Sequence, residues 1–163
     1  MAATTDAEAL RKVMEATTRA FINSYSDATA ANDVSLNTRF LAPDCTRLLR
    51  PASYFKFRGR DCVFNNAEYE KVFALDLTIG GMMNVTVADV TIDVQGRRSA
   101  ASSYWDMVFK DGESVGMEIA WFLEFDGEGK MITRVVECVD PWVIGRTIEH
   151  IEKNAGEGGS AAV

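Results

Sequence analysis

"SAASSYWDMVFKDGESVGMEIAWFLEF", residues 99–125, alternates side-chain character on both sides of one Asp-Gly turn. Successive strand side chains point to opposite faces. Trp105, Met107 and Phe109 therefore share one face of the first segment, and Met117, Ile119, Trp121, Leu123 and Phe125 one face of the second. Asp106 and Glu118 take the opposite face, toward solvent or a subunit interface. "KDGE" at 110–113 supplies hairpin-turn chemistry. The pair reads as a long antiparallel hairpin with an aromatic inner wall.

The same period extends both ways. "NVTVADVTIDV" at 84–94 alternates, but its apolar phase slips between Val87 and Val90. A bulge near Ala88–Asp89 explains the slip and curves the sheet. "QGRR" and "DGEGK" are turns, "MITRVVECVD" is the last strand, and Pro141 ends it. A short C-terminal helix follows, and "AGEGGSAAV" is expected to be disordered.

Before residue 80 the period is helical. Thr5 and Glu8 have capping-box spacing, and Leu10, Val13, Met14, Thr17, Phe21 and Tyr25 continue a long helix that ends before Asn32–Asp33. A short helix is expected over about residues 34–41, stopped by Pro43–Asp44. A strand and a loop are expected in "CTRLLRPASYFKFRG". Asn65 and Glu68 repeat the cap, Tyr69, Val72, Phe73 and Leu77 form a third helix, and Gly80–Gly81 end it. Helices followed by a meander give an α+β plan: a cone-shaped, curved antiparallel sheet wrapped by three N-terminal helices. Such helices cannot cover a long curved sheet, which leaves a pocket for a small molecule. One domain is expected over 1–154, with a tail at 155–163.

The 163 residues carry a net charge of −7, which disfavours nucleic acid and anionic membranes as partners. No apolar run reaches the roughly 20 residues of a membrane span. The start shows no secretory signal, and Cys45, Cys62 and Cys138 have no disulfide or metal-site spacing. Reduced thiols and a cytoplasmic protein are the expectation. The sequence has no GxGxxG, P-loop or HExxH, and its one histidine, His150, reads as a solvated helix residue. No metal and no cofactor are expected.

The last strand poses the chemical question. Val135, Glu137 and Val139 share one face, and Cys138 and Asp140 the other. Met131, Thr133, Val135, Glu137 and Val139 form the more apolar face, so Glu137 is placed toward the pocket. Burial raises its pKa and a nearby guanidinium lowers it, which poises it for proton transfer. A buried Glu held by a cross-strand cation is the structural alternative. Asp140, beside Pro141, reads as a cap.

This order of elements, with "FLAPDC" at 40–45 and "GKMITRVVECVD" at 129–140, resembles the SnoaL-like branch of the nuclear-transport-factor-2-like (NTF2-like) superfamily. "RFLAPDC", "NAEY" and the final Glu137-x-x-Asp140 are similar to fungal cofactor-independent isomerases of secondary metabolism, namely the brevianamide-type semipinacolase and the meroterpenoid ring isomerases. Thr46 stands where several of those relatives carry a histidine. The resemblance implies an acid–base isomerase or cyclase with Glu137 and Arg39 as its pair. Tyr54, Tyr69, Tyr104 and Trp121 are expected to line the pocket of a polycyclic alkaloid or meroterpenoid substrate. A homodimer is expected from the open sheet face. A non-catalytic binding or dimerisation module on the same fold remains the alternative.

Overall fold

The computed structural model describes residues 2–157. Helix α1 spans Ala2–Ala31 and α2 spans Ser35–Thr38. Strand β1, Leu41–Arg50, is followed by helix α3, Ala52–Phe57, and the short strand β2, Val63–Phe64. Helix α4 covers Asn66–Ile79. Strands β3 (Gly80–Asp93), β4 (Arg98–Phe109), β5 (Ser114–Phe125) and β6 (Ile132–Val139) form the meander. Helix α5, Pro141–Glu157, closes the chain. No helix among the described residues is long and apolar enough to cross a membrane.

The strands make one open sheet in the order β2-β1-β6-β5-β4-β3. The meander is antiparallel, as the alternation requires, and odd-numbered residues of β4 and β5 are buried along their full length. The bulge falls where the phase slips: Val87 pairs with Ser103 and Val90 with Ala101, three residues against two. A second such step lies between Met83 and Thr86 and contains Asn84 at φ 52. Both increase the local twist and bend the sheet around α1. The Asn65–Glu68 capping box is complete, with Asn65 Oδ1 accepting from the Glu68 amide and Glu68 Oε2 accepting from the Asn65 amide. Gly80 ends α4 where a Cβ would strike the Val108 carbonyl.

Several expectations are corrected. The sheet is mixed, because β1 runs parallel to β6, with Leu49 opposite Glu137. Parallel pairing joins segments far apart in sequence, so no local turn signals it. Strand β1 passes straight through Pro43–Asp44, and the short helix ends at Thr38. Helix α1 begins at Ala2, so Thr5 is inside it rather than capping it. "ASYFKF" is helical rather than a loop. A fifth helix joins the N-terminal ones as a cover, and it runs through 155–157 of the segment expected to be disordered. Residues 158–163 of that segment lie outside the described residues. The inward phase of β6 holds at Val135, Glu137 and Val139, but a register step puts Ile132 inward in place of Met131 and Thr133.

The core lies between the concave face of the sheet and α1, α4 and α5. Met14, Phe21 and Tyr25 of α1 are buried against Trp105, Trp121 and Leu123 of the sheet. Tyr25 sits in an aromatic cluster, 4.6 Å from Trp105, 5.3 Å from Phe73 and 5.7 Å from Trp121 between ring centroids. At the far end, Arg146 of α5 makes three hydrogen bonds to Glu113, at 2.7, 2.9 and 3.2 Å, pinning the helix to the β4–β5 turn.

Candidate active site

Beside this core the cone stays hollow. A cavity of about 270 Å³ lies between α4, α5 and the sheet. Met82, Trp105, Met107 and Met117 form much of its sheet wall, and Ile144, Ile148 and Ile151 of α5 cover it. Into this apolar space project Tyr69 and Asp76 from α4 and Glu137 from β6.

Glu137 is buried. Its carboxylate meets Arg47 of β1, which is on the same face because Cys45, Arg47 and Leu49 alternate inward. Glu137 Oε2 accepts from Arg47 Nη1 at 3.1 Å and from the Tyr25 hydroxyl at 3.4 Å. Glu137 Oε1 has no hydrogen-bond partner among the described residues. It is not sealed from solvent either, so this oxygen faces the cavity.

Arg47 is the hub of the network. It is 2% exposed, so bulk solvent does not reach it to replace a lost partner. Its Nη1 also donates to the Tyr25 hydroxyl, and its Nη2 to Asn37 Oδ1 at 3.1 Å. Its guanidinium carbon lies 3.5 Å from the centroid of the Tyr69 ring, a cation–π contact. Burial opposes its charge, and the oxygens of Tyr25, Tyr69 and Glu137 outweigh that, so the cation is held firmly. Arg47 Nε and Trp105 Nε1 lack partners among the described residues, but both are sealed and neither is offered to a ligand.

The carboxyls of the cavity sit in different surroundings. Burial pushes the Glu137 pKa up, while the charge and hydrogen bond of Arg47 and the Tyr25 hydroxyl pull it back, leaving it above the ordinary carboxylate value. Asp76 has no such counterweight. Burial, and then the negative charge of Glu137, push its pKa up from 3.8 to about 7. The Tyr25 and Tyr69 hydroxyls are pushed upward chiefly by burial and stay protonated. Burial also lifts the Cys45 thiol to about 11, which makes it a poor nucleophile. The pocket therefore offers two carboxyls of unequal acidity in apolar surroundings.

The expected site residues are only partly brought together. Glu137 and Tyr69 meet at the cavity. Arg39 does not join them: its side chain is 44% exposed and bonds Asp27 at 2.9 Å, because α2 stops short of it and β1 starts after it. Tyr104 has the opposite parity to Trp105, so it lies on the convex face and donates to Asp106 at 3.1 Å. Trp121 is buried behind the cavity wall, its Nε1 donating to Ser103 at 2.9 Å. Tyr54 faces Gly145 in a shallow surface groove beside Trp142. Asp140 Oδ1 accepts from the Trp142 amide at 2.8 Å, a cap at the start of α5.

Arg47 and Asp76 were not singled out from the sequence, although both carry a signal. Arg47 alternates with Cys45 and Leu49. Asp76 follows Tyr69, Val72 and Phe73 at i+7, i+4 and i+3, on the same helix face. One metal-compatible group exists among the described residues, formed by Asp111, Glu113 and His150, none of which lines the cavity. Glu113 there is already held by Arg146, and His150, far from solvated, stacks on Phe109 at 3.7 Å.

A sheet that bends around a long first helix and leaves a hollow between its concave face and the covering helices is the NTF2-like, SnoaL-like fold. The chain superimposes on the BvnE pinacolase from Penicillium brevicompactum with a TM-score of 0.70, covering 86% of this chain and 92% of that one at 18% identity. PrhC from Penicillium brasilianum gives 0.72, covering 90% and 92% at 13% identity. An NTF2-like protein from Burkholderia pseudomallei gives 0.60, covering 83% and 97% at 16% identity. At these identities the likeness is one of fold. No protein-family model matches the chain, and no curated protein matches it in sequence.

Proposed function

We propose that the chain is a cofactor-independent, acid–base isomerase or cyclase of fungal-type secondary metabolism, acting in the cytoplasm on an apolar polycyclic substrate. The observation that carries this reading is Glu137 Oε1, a carboxylate oxygen left open to an apolar cavity while Oε2 is fixed by Arg47 and Tyr25. A carboxylate positioned through one oxygen and free at the other is suited to proton transfer. The fold shared with a pinacolase supports a carbon-skeleton rearrangement. In the finer form of the proposal, the reaction is a semipinacol shift of an α-hydroxy imine. Glu137 takes the hydroxyl proton, the oxygen pair forms a carbonyl, and the migrating C–C bond moves to the imine carbon. The imine nitrogen gains a proton, so mass is conserved. Arg47, not Arg39, is the cation that orients the carboxylate.

The test is conversion of a 3-hydroxyindolenine to an isomer of equal mass by the purified protein. Glu137→Gln is expected to lower turnover per folded molecule about 10²–10⁴-fold. Near-normal turnover in that variant would overturn the assignment. Tight binding of the polycycle without conversion would instead identify a binding module. We further propose a homodimer through the convex face, where Met83, Tyr104 and Phe122 are 43–51% exposed. A monomeric mass by light scattering would refute that.

A further inference from the structure

Asp76 is a titratable group for which the reading above gives no role. It stands two helical turns after the Asn65 cap region's Tyr69, on the α4 face that looks into the cavity, and shares that cavity with Glu137. No hydrogen bond or cation contributes to its protonation state; burial and the Glu137 charge do. A carboxyl set among apolar side chains is normally paired; Asp76 is half-buried and has no side-chain partner among the described residues. Its surroundings are otherwise inert. Tyr69 on the same helix stays protonated. Arg60 and Asp61 are at the exposed rim, and Arg60 bonds Glu152 at 3.3 Å. The sheet strands β3–β5 and helix α5 turn only uncharged side chains toward the cavity.

We propose that Asp76 is the hydrogen-bond and proton donor of this pocket, and that its ligand is a neutral, apolar molecule carrying an acceptor nitrogen or carbonyl oxygen. The catalytic half of this proposal rests on the isomerase reading; the binding half does not. In turnover the Asp76 O–H bond breaks, its electron pair stays on the carboxylate, and its proton goes to the imine nitrogen. Glu137 Oε1 takes the hydroxyl proton in the same rearrangement. Asp76 ends anionic and Glu137 neutral, and the starting state returns when a proton passes back through water. Two carboxyls whose surroundings set them apart in acidity thus divide the acid and base roles. Arg47 keeps Glu137 the base, and the Glu137 charge keeps Asp76 the acid.

The test compares quinoline, which carries an acceptor nitrogen, with naphthalene, which has the same shape without it. Affinities are measured at about pH 6 and about pH 8.5, on either side of the Asp76 titration. In the wild-type protein the preference for quinoline should fall about tenfold at the higher pH, as one donor is lost. In Asp76→Asn, which keeps a donor that does not titrate, the preference should not change with pH. In Glu137→Gln the fall should move to lower pH. A pH-independent preference in the wild type, or an identical pH dependence in Asp76→Asn, overturns the proposal. The outcomes separate the two claims. A pH-dependent preference with no conversion of the hydroxyindolenine removes the isomerase reading and keeps the donor site. Conversion at full rate in Asp76→Asn removes Asp76 as the proton donor in turnover and keeps the isomerase reading.

Discussion

Replacing Asp76 with Asn should stabilise the fold, and the gain should depend on pH in a defined way. The Asp76 carboxyl moves from 3.8 to about 7 in the folded chain. The folded state therefore holds its proton to a higher pH than the unfolded state. Stability linked to this group is complete below about pH 4 and is lost as pH rises through about 7. At about 1.4 kcal/mol per pH unit, the loss reaches at most about 4 kcal/mol. Asp76 is half-buried, and water entering the cavity screens its charge, so about 2–4 kcal/mol is the range to expect. Asn has the same shape and no charge. Urea unfolding of both proteins across this pH range is the assay. Their free energies should nearly coincide at the acid end, diverge between about pH 4 and about 7, and run parallel above that. The difference between the two proteins isolates Asp76, because the other titrating groups are common to both. Parallel curves over the whole range would refute the argument, and would mean that Asp76 ionises freely in the fold. A natural protein that keeps such a destabilising acid in an apolar pocket fits the general trade of stability for function.

Arg47→Met leaves Glu137 buried without its cation and should cost about 3–5 kcal/mol by thermal or denaturant unfolding; Arg47→Met combined with Glu137→Leu should recover most of this. Glu137→Gln strands Arg47 in the same way, so it should lower the melting temperature as well as turnover, and rates must be referred to the folded fraction. Arg39→Ala removes only an exposed ion pair with Asp27, so stability should change by less than about 1 kcal/mol and turnover should not change. Asn65→Ala breaks the α4 capping box and should cost about 1 kcal/mol, read from the urea midpoint.

Of the expected site residues only Glu137 and Tyr69 meet at the cavity, and the exceptions share a cause. Strand parity together with the more apolar character of its face places Glu137 toward the pocket, and parity likewise places Tyr104 outside, since it alternates with Trp105. Arg39 looked adjacent to the pocket only if its helix ran to residue 41; the chain turns into β1 at Leu41, and the side chain is left on the surface. The cation that Glu137 does meet lies 90 residues away on a strand whose parallel partner no turn announces. Helix α5 likewise has no local mark of its role as the pocket's cover.

The sequence by itself determined the long helices, the meander strands and the bulge in β3, because these follow from side-chain period, caps and turns acting over a few residues. It also determined that one inward face carries a carboxylate. Only the tertiary structure decided which cation neutralises that carboxylate, that Asp76 shares its cavity, and how far each carboxyl is displaced in acidity. Burial and charge act through space, over a few ångströms between residues far apart in the chain, and local sequence pattern holds no record of those distances.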